Sequence, residues 1–276
     1  MIQIEDLCFR YKKHVRLLDG LSLSMASGCV YGLLGLNGAG KTTLLKIMAG
    51  MLFPKSGTCR VMGYDSSERK PAMLADMMFV PEEFYAPSLT ICQYVDLYAP
   101  FYPQFDHEQF DKYMDELQLK KNQWFNSLSM GQKKKAVLGF ALAANTRVLI
   151  LDEPTNGLDI PSKTQFRRMV ASAATDDRCI IISTHQVLDI DKLIDAVIVL
   201  DNGKIALNQT VENITGKLAF RTIAELTGQE LYSEESVAGY RSIIPNAAGE
   251  TTQVDLELLF NALISNGQSV QNIFNR

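Results

Sequence analysis

The chain has 276 residues, 47% of them hydrophobic and 21% charged, and a formal net charge of −4. That length suits one large domain, or one domain with an appendage. The acidic balance argues against nucleic-acid binding as the main business, since tracking phosphates calls for a basic face. No uninterrupted apolar stretch reaches the ~18 residues of a membrane span. The opening MIQIEDLCFR carries acids early and has no apolar segment, so no signal peptide is expected. Five cysteines (Cys8, Cys29, Cys59, Cys92 and Cys179) lack metal spacing and read as reduced thiols of the cytosol.

In chain order, MIQIEDLCF alternates as a strand, and LDGLSLSMASG reads as a second strand entering a turn. CVYGLLG is a short apolar run of the kind found in buried parallel strands. KTTLLKIMAGM follows as a helix, GTCRVMGYD as one strand, and MMFV as a buried strand stopped by Pro81. Residues 88–126 change character: SLTICQYVDLYAPF and DHEQFDKYMDELQL carry amphipathic helical patterns and read as a helical insert. A helix from Gln132 to about Asn145 comes next, rich in Ala and Leu. Strand-like runs return at RVLILD, CIIIST and AVIVLD, the last followed by Asn202-Gly203, a strong hairpin turn signal. After about Thr210 the pattern loosens: KLAFRTI and VAGYRSIIP look like strands, DLELLFNALIS like a helix. The whole reads as an α/β body with a helical insert and a small C-terminal appendage.

GLNGAGKTT, Gly35 to Thr43, matches G-x-x-x-x-G-K-[ST] between an apolar strand and a helix, the context that motif requires. Gly35, Gly38 and Gly40 let the backbone curl, so that N–H groups along Asn37, Ala39 and their neighbours face phosphate oxygens. Lys41 would reach the β- and γ-phosphates, Thr42 would put its hydroxyl on Mg²⁺, and Thr43 completes the motif. RVLILDEP ends a core strand in two acids. Behind a phosphate loop, Asp152 would hold the Mg²⁺ shell and Glu153 would polarise the attacking water as general base. His185 ends CIIISTH on the same expected sheet edge, where it could hydrogen-bond the γ-phosphate.

Taken together, the string resembles the nucleotide-binding subunit of ABC transporters over about residues 2–215. The likeness rests on GLNGAGKTT as Walker A, LSMGQ as the signature, VLILDE as Walker B, NGLD (156–159) as the D-loop and STH as the His switch. It implies a P-loop NTPase core of α/β type in residues 1–212, with an antiparallel β subdomain and a helical insert over about 86–140. Residues 213–276 would form the small α+β appendage. ATP and Mg²⁺ are the implied ligands. Tyr11 matches the aromatic that stacks on adenine; an ordinary edge tyrosine is the alternative.

The resemblance also bears on LSMGQKKK, which crowds three lysines at the start of a helix, where each like charge costs ~0.3–1 kcal/mol if unscreened. In this family two subunits pair head to tail, and the signature turn of one closes over the γ-phosphate held by the other. Ser129, the Gly131 N–H and Gln132 would then serve a partner's nucleotide, with Asp159 across the same boundary. Lys133, Lys134 and Lys135 would add a diffuse attraction or, for the larger part, form a solvated face. Phe84, Tyr85, Tyr94, Tyr98, Phe101 and Tyr102 are candidates for a groove against a membrane partner, each also a candidate core aromatic.

Two departures stand out. Met130 replaces the usual third-position glycine of the signature, and Glu82 stands where the family has its Q-loop glutamine. A carboxylate there adds a negative charge beside a triphosphate, Asp152 and Glu153. At ~6 Å and an effective dielectric of ~20, one such pair costs ~3 kcal/mol. Coordination of Glu82 to Mg²⁺ is the expected relief; protonation and a swung-out loop are the alternatives. The implied function is an ATP-hydrolysing subunit, of exporter type, that acts as a homodimer or heterodimer. It would power a separately encoded membrane-spanning permease from the cytoplasmic face of the cell membrane. A soluble ABC ATPase acting as a conformational clamp is the alternative.

Overall fold

The computed structural model describes residues 1–12, 17–247 and 249–274. Its centre is a six-stranded sheet made of β3 (Cys29–Leu34), β6 (Met77–Val80), β7 (Val148–Asp152), β8 (Cys179–Thr184), β9 (Ala196–Asp201) and β10 (Lys204–Thr210). The order is β10-β9-β3-β8-β7-β6, parallel throughout except for the antiparallel β9–β10 edge. That edge is the expected hairpin: Asp201 pairs with Lys204, and Asn202 (φ 46°) and Gly203 (φ 75°) both adopt the left-handed backbone that a tight hairpin needs.

The parallel strands read as near-continuous apolar runs because both faces are covered. Side chains alternate between the faces with period two. Leu149, Leu151, Ile180, Ile182, Val197 and Val199 enter one core; Val148, Ile150, Cys179, Ile181, Ile198 and Leu200 enter the other. The second core is closed by α1 (Lys41–Met48) and by an antiparallel sheet of β1 (Ile2–Phe9), β2 (Leu18–Met25), β4 (Ser56–Val61) and β5 (Tyr64–Asp65), in the order β2-β1-β4-β5. GTCRVMGYD, expected as one strand, is a hairpin: Met62 (φ 52°) and Gly63 (φ 82°) turn the chain between β4 and β5.

The first core is closed by α3 (Ile91–Tyr98), α4 (His107–Glu116), α5 (Met130–Ala143) and α6 (Ile160–Ala173); the one-turn α2 (Pro71–Leu74) precedes β6. After β10, α7 (Val211–Lys217) leads to a three-stranded antiparallel sheet of β11 (Leu218–Ile223), β12 (Tyr232–Ser236) and β13 (Gly239–Pro245), then to α8 (Leu256–Phe274). Ile214, Leu218, Ile243, Leu258 and Val270 of this stretch join the same core as α5 and α6. The helix is longer than DLELLFNALIS suggests; it runs through Gly267 because Val270 is buried beyond it.

One buried cation ties two helices together. Arg178, 4% exposed, donates to Ala173 O at 3.1 Å and to Leu142 O at 3.4 Å, the C-terminal carbonyls of α6 and α5. A cation at two helix C-termini meets both negative poles and two sets of orphan carbonyls.

Candidate functional site

Four loops leave the C-terminal edge of adjacent parallel strands: one after β3, then those after β8, β7 and β6 in sheet order. They carry Lys41, His185, Asp152–Glu153 and Glu82 respectively. This is where ligands bind in open α/β sheets.

The β3 loop turns through Gly38 (φ 81°) and Gly40 (φ 108°) into α1. Gly40 is the N-cap and, having no side chain, leaves the first-turn N–H groups uncapped. An uncapped helix N-terminus is an anion site. Lys41 lies beneath it, 7% exposed, and donates to Gly35 O at 2.7 Å and Leu36 O at 3.4 Å. Burial pushes its ammonium below the usual lysine range, while Glu153, Asp152 and Glu82 pull it back up. Tyr11 reaches this loop: its hydroxyl is 3.0 Å from Thr43 Oγ1, and its ring, 64% exposed, stands edge-on to Phe9.

Glu153 is held between a lysine and a histidine. Its Oε1 is 3.8 Å from Lys41 Nζ and its Oε2 is 2.9 Å from His185 Nδ1. Its backbone is left-handed (φ 46°), uncommon for a residue with a Cβ and frequent at functional sites. Ser183 of β8 fixes that turn. Its hydroxyl accepts from the Glu153 N–H at 3.1 Å and donates to Asp152 Oδ1. Beyond His185, Lys163 of α6 donates to Gln186 Oε1 and Asp189 Oδ1, both at 2.9 Å, and so holds the following turn to α6.

Among the described residues, no group of three or more His, Cys, Asp or Glu side chains could hold a metal ion. Thr42, Asp152 and Glu82 offer a hydroxyl and two carboxylates. Magnesium takes one or two carboxylates and completes its shell with water and phosphate. The donor set therefore fits a cation that arrives with a polyphosphate rather than a resident one.

The signature turn is built differently. Ser129 is the N-cap of α5 in a reciprocal capping box: the Gln132 N–H donates to Ser129 Oγ at 3.3 Å, and the Ser129 N–H to Gln132 Oε1 at 3.0 Å. Accepting from Gln132 leaves the Ser129 hydroxyl proton free to donate. Met130 points outward, 61% exposed. Asp159 caps α6 by accepting from the Ser162 N–H at 3.0 Å; hydrogen bonding from the Ser162 side chain, and then from its backbone, holds the Asp159 carboxyl below the usual range. Among the described residues, no hydrogen bond or ion pair joins Ser129, Gly131 or Asp159 to Lys41 or Glu153 of the same chain.

Two of the three lysines are not a solvated face. Lys134 Nζ donates to Asn156 O at 2.7 Å, and Lys135 Nζ to Gln165 Oε1 at 3.2 Å. Asn156 Nδ2 in turn donates to Glu82 Oε1 at 2.7 Å. Ser183, Asn156 and Lys163 are not evident as site residues from the sequence, although Ser183 and Asn156 lie inside the quoted STH and NGLD motifs. The insert aromatics divide: Tyr85 (88%) and Phe101 (66%) are exposed, whereas Tyr94 packs on Phe125 and Phe140.

A phosphate loop after the central strand, with acids and a histidine at the ends of its neighbours, defines the class: a P-loop ATPase cassette. The model of the ABC transporter family matches residues 18–156, just over half of the sequence. The chain belongs to the ABC transporter family. It is 32% identical over 253 residues to the arabinose import ATP-binding protein AraG 2 of Burkholderia ambifaria, which covers 86% of this chain and 46% of that protein. It is 30% identical over 193 residues to the ABC transporter ATP-binding protein YtrB of Bacillus subtilis, covering 69% and 65%. With NatA of the same organism it shares 28% over 226 residues, covering 78% and 91%. The chain thus spans about half the length of AraG 2 and nearly all of NatA. Its fold is that of a solved ATP-binding subunit of an ABC transporter (TM-score 0.69, 23% identity, 78% of this chain and 91% of that one). It also matches a dimeric ATP-binding cassette bound to ADP and Pi (TM-score 0.67, 20% identity, 76% and 98%).

Proposed function

We propose that the chain binds Mg-ATP and hydrolyses it as one half of a head-to-tail dimer, and thereby powers a separately encoded membrane-spanning partner. The observation that carries this is the Glu153 carboxylate, held between Lys41 at 3.8 Å and His185 at 2.9 Å beside an uncapped helix N-terminus. ATP would lie along Gly35, Asn37, Gly38, Ala39, Gly40, Thr42 and Thr43, its adenine against the Tyr11 ring. Lys41 would exchange the carbonyls of Gly35 and Leu36 for β- and γ-phosphate oxygens. Glu153 takes a proton from the attacking water as its oxygen bonds to the γ-phosphorus; the bond to the β,γ-bridging oxygen breaks, leaving ADP and phosphate. His185 orients Glu153 and would hydrogen-bond the γ-phosphate. Mg²⁺, when bound, neutralises phosphate charge; Thr42 and Asp152 would hold it, with Glu82 at its shell.

Ser129, Gly131 and Gln132 of the second subunit would close over the γ-phosphate, with Asp159 at the same boundary. Exposed Leu36, Met130 and Ile160 give that face an apolar contribution. No described helix is long and apolar enough to cross a membrane. Translocation is assigned here to another chain, with this one peripheral on the cytoplasmic face. The exposed Tyr85 and Phe101 of the insert suit contact with that chain. Residues 1–212 would be the ATPase domain and 213–276 the accessory region. Export is the proposed direction; the relatives' names include both import and export proteins.

The test is phosphate release by the purified chain. It should require Mg²⁺ and rise with protein concentration faster than linearly, as a dimeric site demands. Absence of Mg²⁺-dependent release, with or without membrane partner, would sink the reading. Glu82→Gln should raise the Mg²⁺ concentration for half-maximal rate; an unchanged midpoint removes Glu82 from the metal set.

A further inference from the structure

Two loops and a helix meet at the base of the site. Pro81–Glu82 follow β6, Pro154–Asn156 follow β7, and Lys134 stands one turn into α5. Two hydrogen bonds run through the junction: Lys134 Nζ to Asn156 O and Asn156 Nδ2 to Glu82 Oε1, both 2.7 Å. Asn156 uses its backbone toward the cation and its side chain toward the anion, so one residue bridges opposite charges. Lys134 itself lines a cavity there, together with Pro81, Phe84, Leu138, Pro154 and Leu158.

Charge gives the same pairing. Glu82 brings a carboxylate to an edge that already holds Asp152 and Glu153, where a triphosphate is proposed to bind. Lys134 is the half-buried cation on the other side of Asn156. Burial pushes its ammonium down, and Glu82, ahead of Glu153 and Glu83, pulls it back up. Lys41 also feels Glu82, but only after Glu153 and Asp152. Lys134 is therefore the cation for which Glu82 is the leading counter-charge. This relief of the Glu82 charge is separate from metal coordination, protonation and a swung-out loop: a cation supplied by the signature helix itself.

We propose that Lys134 is a positioning residue that neutralises Glu82 through Asn156, binding the loops after β6 and β7 to α5 so that ATP meets no uncompensated carboxylate there. The assignment rests on the nucleotide-binding reading above. It also gives one of the crowded lysines of LSMGQKKK a target within its own chain.

The experiment is a double-mutant cycle on the full chain, reading ATP affinity by calorimetry without Mg²⁺, so that no metal masks the carboxylate. Lys134→Met should weaken ATP binding about tenfold, equivalent to about 1.4 kcal/mol. Adding Glu82→Gln to Lys134→Met should restore affinity to within about twofold, the scatter expected of independent sites. Lys134→Arg, which keeps the charge, should also bind close to the parent. Melting of the nucleotide-free proteins provides a second reading: the two substitutions should be non-additive in Tm. It also guards against a Lys134→Met chain that folds poorly, since Glu82→Gln with Lys134→Met should then rescue the fold. Additive losses in affinity and in Tm, or a Lys134→Met chain with parental affinity, overturn the assignment. A chain that shows the coupling yet does not hydrolyse ATP overturns the proposed activity instead and leaves Lys134 where it is assigned.

Discussion

Helices α1 and α5 both begin at the face proposed to bind nucleotide, and their first turns are built in opposite ways. At α1 the N-cap is Gly40, with no side-chain cap, and its left-handed φ of 108° aims the turn without occupying it. At α5 the N-cap is Ser129, and the capping box with Gln132 satisfies orphan donors from within. One pole is left open; the other is already stable and keeps a hydroxyl proton in reserve. An open pole needs a ligand carried by its own chain, since unsatisfied N–H groups cost stability. A closed pole can wait for a ligand that arrives on another molecule. The contrast offers a physical reason why a composite site can be divided between two chains without either unfolding alone.

The strongest test of the open pole is Lys41→Ala, which should nearly abolish ATP hydrolysis in a phosphate-release assay. Glu153→Gln should slow it by about 10²–10⁴ while ATP still binds; near-normal turnover would remove Glu153 from the role of base. The division between chains breaks or holds in a mixing experiment. Ser129→Arg and Lys41→Ala chains should each be inactive, and their heterodimer should regain one intact site. Isolated heterodimers without activity would mean that the signature turn does not serve a partner, or that both sites must fire together; ATP-dependent dimerisation by light scattering separates these.

A subtler pair of substitutions should move stability in opposite directions. Gly40→Ala forces a Cβ into a left-handed backbone and within 3.0 Å of Leu18 Cδ2; it should cost about 1–3 kcal/mol in a urea melt. A Cβ at Gly131 meets only Leu158 Cδ2 at 3.9 Å, and alanine favours a helix by up to about 1 kcal/mol over glycine. Gly131→Ala should therefore leave the free chain as stable or more so, yet slow hydrolysis in the dimer. Equal destabilisation of both would erase the contrast. The smallest effect belongs to Ser129→Ala. Losing a cap costs typically about 1 kcal/mol, roughly 2–4 °C in Tm for a chain of this size, before any effect on turnover.

Legibility followed continuity along the chain. The phosphate loop, the acids after β7 and the histidine after β8 are contiguous motifs at the ends of apolar runs, and such runs announce buried parallel strands. Helix α6 is less legible: Asp159 as cap and Pro161 in its first turn are ordinary start signals, but no continuous apolar run follows them. The division of GTCRVMGYD into β4 and β5 depends on a left-handed Met62, which no propensity favours. The brace of Glu82, Asn156 and Lys134 was out of reach for another reason. Its members lie on separate motifs, and only the packing of α5 against the loops after β6 and β7 brings them together. Lysines on a helix read as solvated until the structure shows which carbonyl they meet.

Arg178 sits at the far end of this arrangement. It holds the last carbonyls of α5 and α6, whose first residues follow Ser129 and Asp159. A rod anchored at one end is a lever. The 14 residues of α5 span about 21 Å, so each degree of rotation about the Arg178 end carries Ser129 about 0.4 Å. The arm multiplies small errors at the anchor, and a hydroxyl that must meet a phosphate oxygen within hydrogen-bond distance tolerates only a few tenths of an ångström. A buried guanidinium that no nucleotide would touch thus fastens the far ends of the two helices that begin at Ser129 and Asp159.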